Sequence, residues 1–108
     1  MTGAGVAFVI SLDSREKYTR LLAGPPQNRA FRSGLVNLGP GESVGKHSTE
    51  DYEELLIVLE GQGEMLGKEG PLQINKARAV YCPPNTEHDV RNTGQDPFRY
   101  VYIVTKTR

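Results

Sequence analysis

The stretch GESVGKHSTEDYEELLIVLEGQG occupies residues 41–63 and contains one of the two histidines of the chain. A carboxylate-rich turn follows His47, and a run of aliphatic residues, LLIVL, follows the turn at 55–59. An apolar run of this length, bounded by turn residues, is typical of a β-strand. The stretch therefore predicts a strand over 54–59, with His47 placed just before the turn that leads into it.

Turn signals and short apolar runs alternate along the rest of the chain. Glycine (12 residues) and proline (7 residues) separate segments of strand length that are rich in Val, Ile, Leu, Tyr and Phe. This regular spacing is the one expected of an all-β sandwich or barrel. The apolar segment 6–10 also has strand length, and the segment 13–22 is interpreted as a turn followed by a strand over 18–22 in preference to a capped helix.

Length and charge narrow the class of protein. The chain has 108 residues, which suit a single domain over 1–108 with one core. Its 13 basic and 13 acidic residues cancel, and no basic stripe or base-stacking motif is present, so no nucleic-acid partner is expected. The apolar run at 6–10 is too short for a signal-peptide core or a membrane span, so no membrane partner is expected. Cys82 is the only cysteine and fits a reducing compartment, so the predicted location is cytoplasmic.

Three potential metal donors stand where turns are expected to enter or leave strands. His47 and Glu54 lie on either side of the polar turn, and His88 follows a second turn, PPNTE. Two imidazoles and one carboxylate are a common donor set for a divalent metal ion. A pairing of His47 with Glu54 across the turn, without metal, is the competing interpretation.

Two motifs in this chain resemble those of the cupins. The first cupin motif is a glycine, five residues, His-x-His, three or four residues, Glu, six residues and glycine, and residues 41–61 are similar to it. The second motif is a glycine, five residues, Pro-x-Gly, two residues, His, three residues and Asn, and residues 77–92 are similar to that one. The two motifs occur in the expected order, and the resemblance covers roughly residues 34–104.

The resemblance implies a single antiparallel jelly-roll β-barrel into which residues 1–33 lead, with a pocket at one mouth. In cupins the motif histidines and the glutamate bind one divalent metal, and the matching residues here are His47, Glu54 and His88. The implied cofactor is one divalent ion such as Zn, Fe, Mn or Ni, and the implied partner is a small-molecule ligand or substrate. A metal-dependent oxygenase or isomerase is the leading functional hypothesis. The alternatives are a metal-free small-molecule-binding or sensory module and a structural barrel without a ligand.

The chain departs from the cupin motifs at three positions. Thr49 replaces the second histidine, so either water or substrate fills the vacated position of a three-ligand site, or the pocket works without metal. In the first case Thr49→His is expected to strengthen metal binding. Ala77 and Asn85 replace glycines. Asn85 is expected to tolerate a positive φ, whereas Ala77 indicates that its position does not need one.

Other reactive residues near the motifs receive simpler interpretations. Cys82 ends an apolar strand and is predicted to be a buried, inert thiol. Three acidic residues of the turn are interpreted as a solvated loop, and Glu54 is preferred over Glu53 because it keeps the motif spacing. Those acidic residues are Glu50, Asp51 and Glu53. Three tyrosines are left without an assigned side of the sheet: Tyr81, Tyr100 and Tyr102.

The aliphatic strand also predicts a homodimer. If Glu54 faces the barrel interior, alternation directs Leu56 and Val58 inward and Leu55, Ile57 and Leu59 outward. A contiguous outward aliphatic patch is rarely left exposed on a soluble monomer, and a symmetric pair of chains is the commonest way to bury it. Coverage by the N-terminal segment 6–22 of the same chain is the alternative.

Overall fold

The structure, a computed structural model, describes residues 5–107 and consists of antiparallel β-strands. No helix forms within these residues, so the described part of the chain contains no helix long and apolar enough to cross a membrane. The strands are β1 (Tyr18–Leu22), β2 (Arg32–Leu38), β3 (His47–Ser48), β4 (Tyr52–Glu60), β5 (Gln62–Gly67), β6 (Gly70–Asn75), β7 (Ala79–Cys82), β8 (Glu87–Asn92) and β9 (Phe98–Lys106).

The strands form two sheets that exchange strands along the chain. One sheet has the order β1-β2-β9-β4-β7, and the other has the order β3-β8-β5-β6. The chain therefore passes from one sheet to the other at β2–β3, β3–β4, β4–β5, β6–β7, β7–β8 and β8–β9. This repeated exchange between two antiparallel sheets is the jelly-roll arrangement, so the predicted all-β jelly-roll fold is confirmed.

The core lies between the two sheets and takes alternate residues from each strand. On β4, Leu56 and Val58 are buried to 1% and 2% exposure, whereas Leu55 and Ile57 on the opposite face remain 38% and 37% exposed. This alternation confirms the predicted orientation of the strand. The buried cluster comprises Val36, Leu38, Leu56, Val58, Met65, Ile74, Cys82, Val90, Phe98 and Tyr100.

The N-terminal segment crosses the outer face of the five-stranded sheet. The Asn37 side-chain amide donates hydrogen bonds to the carbonyls of Ser14 and Glu16, and the guanidinium of Arg99 donates to the carbonyls of Leu12 and Ser14. The strand predicted at 18–22 is confirmed as β1.

The strand-length segment 6–10 does not become a strand, because its backbone pairs with no other strand. Val6 and Val9 within it are exposed. Apolar character alone therefore did not predict pairing there.

Gly41, Gly61, Ala77 and Asn85 are motif positions with a positive φ. Gly61 joins β4 to β5 with a φ of 88°, and a Cβ atom there would collide with the backbone of Pro97 and Phe98, so glycine is required. Asn85 has a φ of 55°, as expected. The interpretation of Ala77 was wrong, because its φ is 68°. Its turn places the Ala77 N–H on the Val58 carbonyl, and holding this left-handed conformation costs an alanine about 1–2 kcal/mol.

Candidate metal centre

The two histidines face each other across one strand pair. His47 on β3 is the direct register partner of His88 on β8, and their ring centroids lie 4.4 Å apart. Glu54 belongs to the other sheet, near the start of β4. One ligand atom from each of the three side chains lies within 4.8 Å of the others. The structure thus brings the three sequence-predicted residues together where the two sheets meet.

Backbone carbonyls hold both imidazoles in one tautomer. The Nδ1 atom of His47 lies 2.8 Å from the Gly45 carbonyl oxygen, and Nδ1 of His88 lies 3.2 Å from the Thr86 carbonyl oxygen. A carbonyl oxygen only accepts hydrogen bonds, so each Nδ1 carries a proton and donates it. The lone pair of a neutral ring is then on Nε2. This is the arrangement that metal-binding histidines commonly have.

His88 and Glu54 form a buried pair between the two sheets. The His88 Nε2 atom lies 3.2 Å from Glu54 Oε1, and the two side chains are 2% and 12% exposed. The hydrogen bond to Glu54 raises the pKa of His88 above its usual value, burial opposes this shift, and the Thr86 carbonyl adds to it. When His88 is protonated, its Nε2 proton faces the Glu54 carboxylate. A divalent cation in place of this proton would satisfy both groups, so the donor set fits such an ion.

Thr49 has a structural role that the sequence did not reveal. Its hydroxyl donates to the Pro83 carbonyl at 2.7 Å and accepts from the Thr86 N–H at 3.0 Å. These bonds connect the turn after β3 to the turn before β8. Thr49 is 8% exposed and also lines the adjoining cavity. The residue that replaces the second cupin histidine thus holds together the two turns that carry His47 and His88.

Asn92 explains another part of the second motif. It is 2% exposed, its side-chain amide donates to the carbonyls of Leu38 and Asp96, and its side-chain oxygen accepts from the Gly94 N–H. The motif asparagine therefore closes the turn between β8 and β9 and is not one of the three candidate metal donors.

The acidic neighbours of Glu54 lie outside the three-residue group. Glu53 points to the opposite face of β4, where its carboxylate accepts a hydrogen bond from the Tyr81 hydroxyl at 2.8 Å. Asp51 lies 3.8 Å from the Lys106 ammonium, and Glu50 is exposed. The preference for Glu54 over Glu53 therefore agrees with the geometry.

The thiol of Cys82 is buried, as predicted. The residue is 2% exposed, and burial raises the pKa of the Cys82 thiol to about 11. A thiol in this state is a poor nucleophile at neutral pH, which argues against a Cys–His nucleophile pair.

A cavity of about 400 Å³ adjoins the three donors. Its lining is mainly aliphatic and aromatic, and includes four tyrosines: Tyr18, Tyr52, Tyr100 and Tyr102. Tyr81 is on the outer face, so only two of the three unassigned tyrosines line this cavity. Sequence reasoning also missed Arg32, which lines the cavity from β2. Arg32 reaches the cavity because β2 pairs with β9 and β9 pairs with β4. This register cannot be inferred from the sequence.

Comparison with known proteins agrees with this fold. A family model described as "Cupin domain" matches residues 34–104. An uncharacterized protein of Methanocaldococcus jannaschii, MJ1618, is 30% identical over 71 residues, which are 66% of this chain and 55% of that protein. A glucose-6-phosphate isomerase of Pyrococcus abyssi is 34% identical over 62 residues, which are 53% of this chain and 33% of that protein. The chain thus spans about half of one curated relative and a third of the other.

Solved structures share the fold at low identity. The crystal structure of BH2720 from Bacillus halodurans superposes with a TM-score of 0.83 at 21% identity, over 99% of this chain and 86% of that one. Since the family model covers most of the chain and the three motif donors lie together, the chain belongs to the cupin family.

Proposed function

We propose that the chain binds one divalent metal ion through His47, Glu54 and His88, and a small molecule in the adjoining cavity. One observation carries this proposal: both imidazoles are fixed through Nδ1, and the three donors lie within 4.8 Å of one another. Zn, Fe, Mn and Ni ions all accept such a mixed nitrogen and oxygen donor set. Three protein donors leave coordination positions for water or substrate.

The proposed reaction class is that of a metal-dependent oxygenase or isomerase. A bound ion would act there as a Lewis acid or would activate oxygen. Glu54 would offset part of the ion's charge, and the largely apolar cavity would limit access of water to a bound substrate. The name of the P. abyssi relative, glucose-6-phosphate isomerase, supports the isomerase branch, although this chain matches only a third of that protein.

A metal-free ligand-binding or sensory module is the second candidate. The observation that favours it is the His88–Glu54 pair, in which the two side chains bond directly to each other. Thr49, at the position of the lost histidine, is likewise engaged in two hydrogen bonds. Under this alternative the cavity binds a small molecule, and the three donors stabilise the junction of the two sheets.

Metal titration discriminates between the two candidates. Protein without an affinity tag is stripped with a chelator and titrated with Co²⁺ and Zn²⁺, and binding is followed by calorimetry and by the visible absorption of Co²⁺. The metal proposal expects one site per chain and competition between the two ions. Absence of saturable binding at neutral pH would refute the metal proposal.

A homodimer is proposed on the outer face of the five-stranded sheet. Leu55 is the register partner of Tyr81, so the two share this face with Ile57, and their exposures are 38%, 56% and 37%. The N-terminal segment crosses the same face, yet Phe8 and Val9 within it remain 49% and 97% exposed. A second copy of the chain would bury both apolar elements in one symmetric interface.

Two further proposals concern the whole chain. We propose that residues 1–108 form a single cupin domain, with the family match over 34–104 as its central part. We also propose a cytoplasmic location, which the free, buried thiol of Cys82 supports because an unpaired cysteine fits a reducing compartment.

A further inference from the structure

Arg32 and Glu54 lie in one row across three strands of the five-stranded sheet. Val104 on β9 is the register partner of Arg32 on β2 and of Glu54 on β4. Directly paired residues project from the same face of a sheet, so Arg32 and Glu54 project to the same side. Two strand spacings separate their Cα atoms by about 10 Å. All three residues of the row line the cavity.

Arg32 is exposed at the cavity edge, and its guanidinium lies over an aromatic ring. Its Cζ atom lies 4.7 Å from the ring centroid of Tyr52. No ion pair within residues 5–107 involves Arg32. Stacking on an aromatic ring orients the planar fork and leaves its N–H edges available for a planar anion. Arg32 is also the only lysine or arginine among the described residues that line this cavity.

Apolar side chains line the space between Arg32 and Glu54. Tyr102 is the register partner of Gly34 on one side and of Leu56 on the other, one layer below the row. A Cβ atom at Gly34 would lie 2.6 Å from the ring atoms of Tyr102, so the ring occupies the space that a side chain at Gly34 would fill. The glycine therefore allows the Tyr102 ring to lie beside Val104 as part of the cavity wall.

We infer that the cavity binds a small carboxylic acid with an apolar or aromatic body. The carboxylate pairs with Arg32, the body lies against Val104 and Tyr102, and the other end reaches the three donors. This inference rests on the proposed function for the part that concerns the metal. The contact between Arg32 and the carboxylate does not depend on the ion.

At the Arg32 end of the row, away from Glu54, the guanidinium favours a carboxylate over a phosphate. A single guanidinium matches the charge and the planar shape of one carboxylate, and a bidentate contact satisfies both oxygens. A phosphate dianion is usually met by several donors or by a helix N-terminus, and the described residues contain no helix. The volume of about 400 Å³ suits a small molecule.

Calorimetric titration with benzoate tests the inference. The protein, without an affinity tag, is titrated with benzoate, with its neutral analogue benzyl alcohol and with inorganic phosphate, each with and without one equivalent of Zn²⁺. Arg32→Met is compared with Arg78→Met, which removes the same charge from an exposed site outside the cavity. Circular dichroism checks that both variants fold as the parent does.

The expected result is benzoate binding that is stronger than that of benzyl alcohol and of phosphate. Arg32→Met should weaken it at least about tenfold, which corresponds to about 1.4 kcal/mol, while Arg78→Met leaves it unchanged. Failure of the parent to bind benzoate, equal binding by Arg32→Met, or preference for phosphate overturns the inference. If Zn²⁺ does not bind while benzoate binding still depends on Arg32, the metal proposal falls and the carboxylate site remains. If Zn²⁺ binds and benzoate does not, only the carboxylate site is refuted.

Discussion

The Nε2 atom of His88 lies 3.2 Å from Oε1 of Glu54, and this contact joins β8 of one sheet to β4 of the other. The pair is nearly inaccessible to solvent, and the imidazole is fixed on its other side by the Thr86 carbonyl. A proton and a divalent cation would compete for the same position between these two groups. Metal binding and protonation of His88 are therefore linked.

Metal affinity should keep increasing with pH, and it should level off at a higher pH than it would for a histidine with an ordinary pKa. The pKa of His88 is raised, chiefly by Glu54, so the proton that metal must displace is still held above pH 6.5. Apparent affinity for Zn²⁺ should keep rising as the pH passes through this raised pKa, and competition with a chelator between pH 5.5 and 8.5 measures it. An affinity that is constant from pH 6 to pH 8 contradicts the linkage.

Without metal, the same pair should make stability depend on pH in the opposite direction. A pKa that is higher in the folded state means that the pair contributes fully below the unfolded value of about 6.5, and that its contribution is lost as the pH rises through the raised value. Urea unfolding in EDTA should therefore show a lower free energy of unfolding at pH 8.5 than at pH 6. Glu54→Gln removes the main cause of the shift and should flatten this dependence. An unchanged slope in that variant would assign the effect to another group.

Loss of any one of the three donors should weaken metal binding. His47→Ala, His88→Ala and Glu54→Gln each leave two protein donors, and we expect at least about a tenfold loss of Zn²⁺ affinity, or about 1.4 kcal/mol. Glu53→Gln is the matched control, because this neighbouring carboxylate points to the opposite face and binds the Tyr81 hydroxyl. Calorimetry on all four variants tests the assignment. Parental affinity in both histidine variants, or an equal loss in Glu53→Gln, would refute it.

Local pattern was sufficient for the orientation of β4 and for the choice of donors. Alternation along 54–59 correctly predicted that Leu56 and Val58 face the core, because side chains on a strand alternate between its two faces. The motif spacing selected Glu54 over Glu53, and Glu54 is the one that lies near both histidines.

Long-range pairing explains what the sequence did not predict. Arg32 reaches the cavity through the register of β2 and β9, and Thr49 acts through hydrogen bonds to residues more than thirty positions away. Neither relationship leaves a local signal. Ala77 was misjudged because residue type reports only a preference for φ, while the turn between β6 and β7 imposes a φ of 68°.

Thr49 should support the site by connecting two turns. Thr49→Val keeps the shape but removes the hydroxyl that binds the Pro83 carbonyl and the Thr86 N–H, so two partly buried hydrogen bonds are lost. We expect a loss of about 1–3 kcal/mol in the free energy of unfolding, together with weaker Zn²⁺ binding. Thr49→Ser retains the hydroxyl and should behave nearly as the parent does. Chemical unfolding and calorimetry provide the two measurements.

Thr49→His distinguishes the hydrogen-bonding role of Thr49 from the alternative hypothesis that position 49 is a vacated metal-ligand site. A gain in Zn²⁺ affinity in a normally folded variant would show that an added imidazole reaches the metal. Under the hydrogen-bonding role described here, the variant loses stability and gains no affinity.

The proposed dimer should dissociate when charge is placed on the outer face of the five-stranded sheet. Ile57 is 37% exposed, so Ile57→Lys should be tolerated by the isolated chain, whereas burying the ammonium in a symmetric interface would place two unpaired charges there. Light scattering at micromolar concentration should give twice the chain mass of 11.9 kDa for the parent and the mass of one chain for the variant. Leu72→Lys is the matched control, because Leu72 is 56% exposed on β6 of the other sheet and this substitution should leave the parental mass unchanged.

A variant that begins at Leu12 keeps the carbonyl that binds Arg99 but lacks the exposed apolar residues before it, and it should dimerise more weakly. A parent that scatters as one chain would rule out the dimer, and dissociation by Leu72→Lys alone would move the interface to the four-stranded sheet.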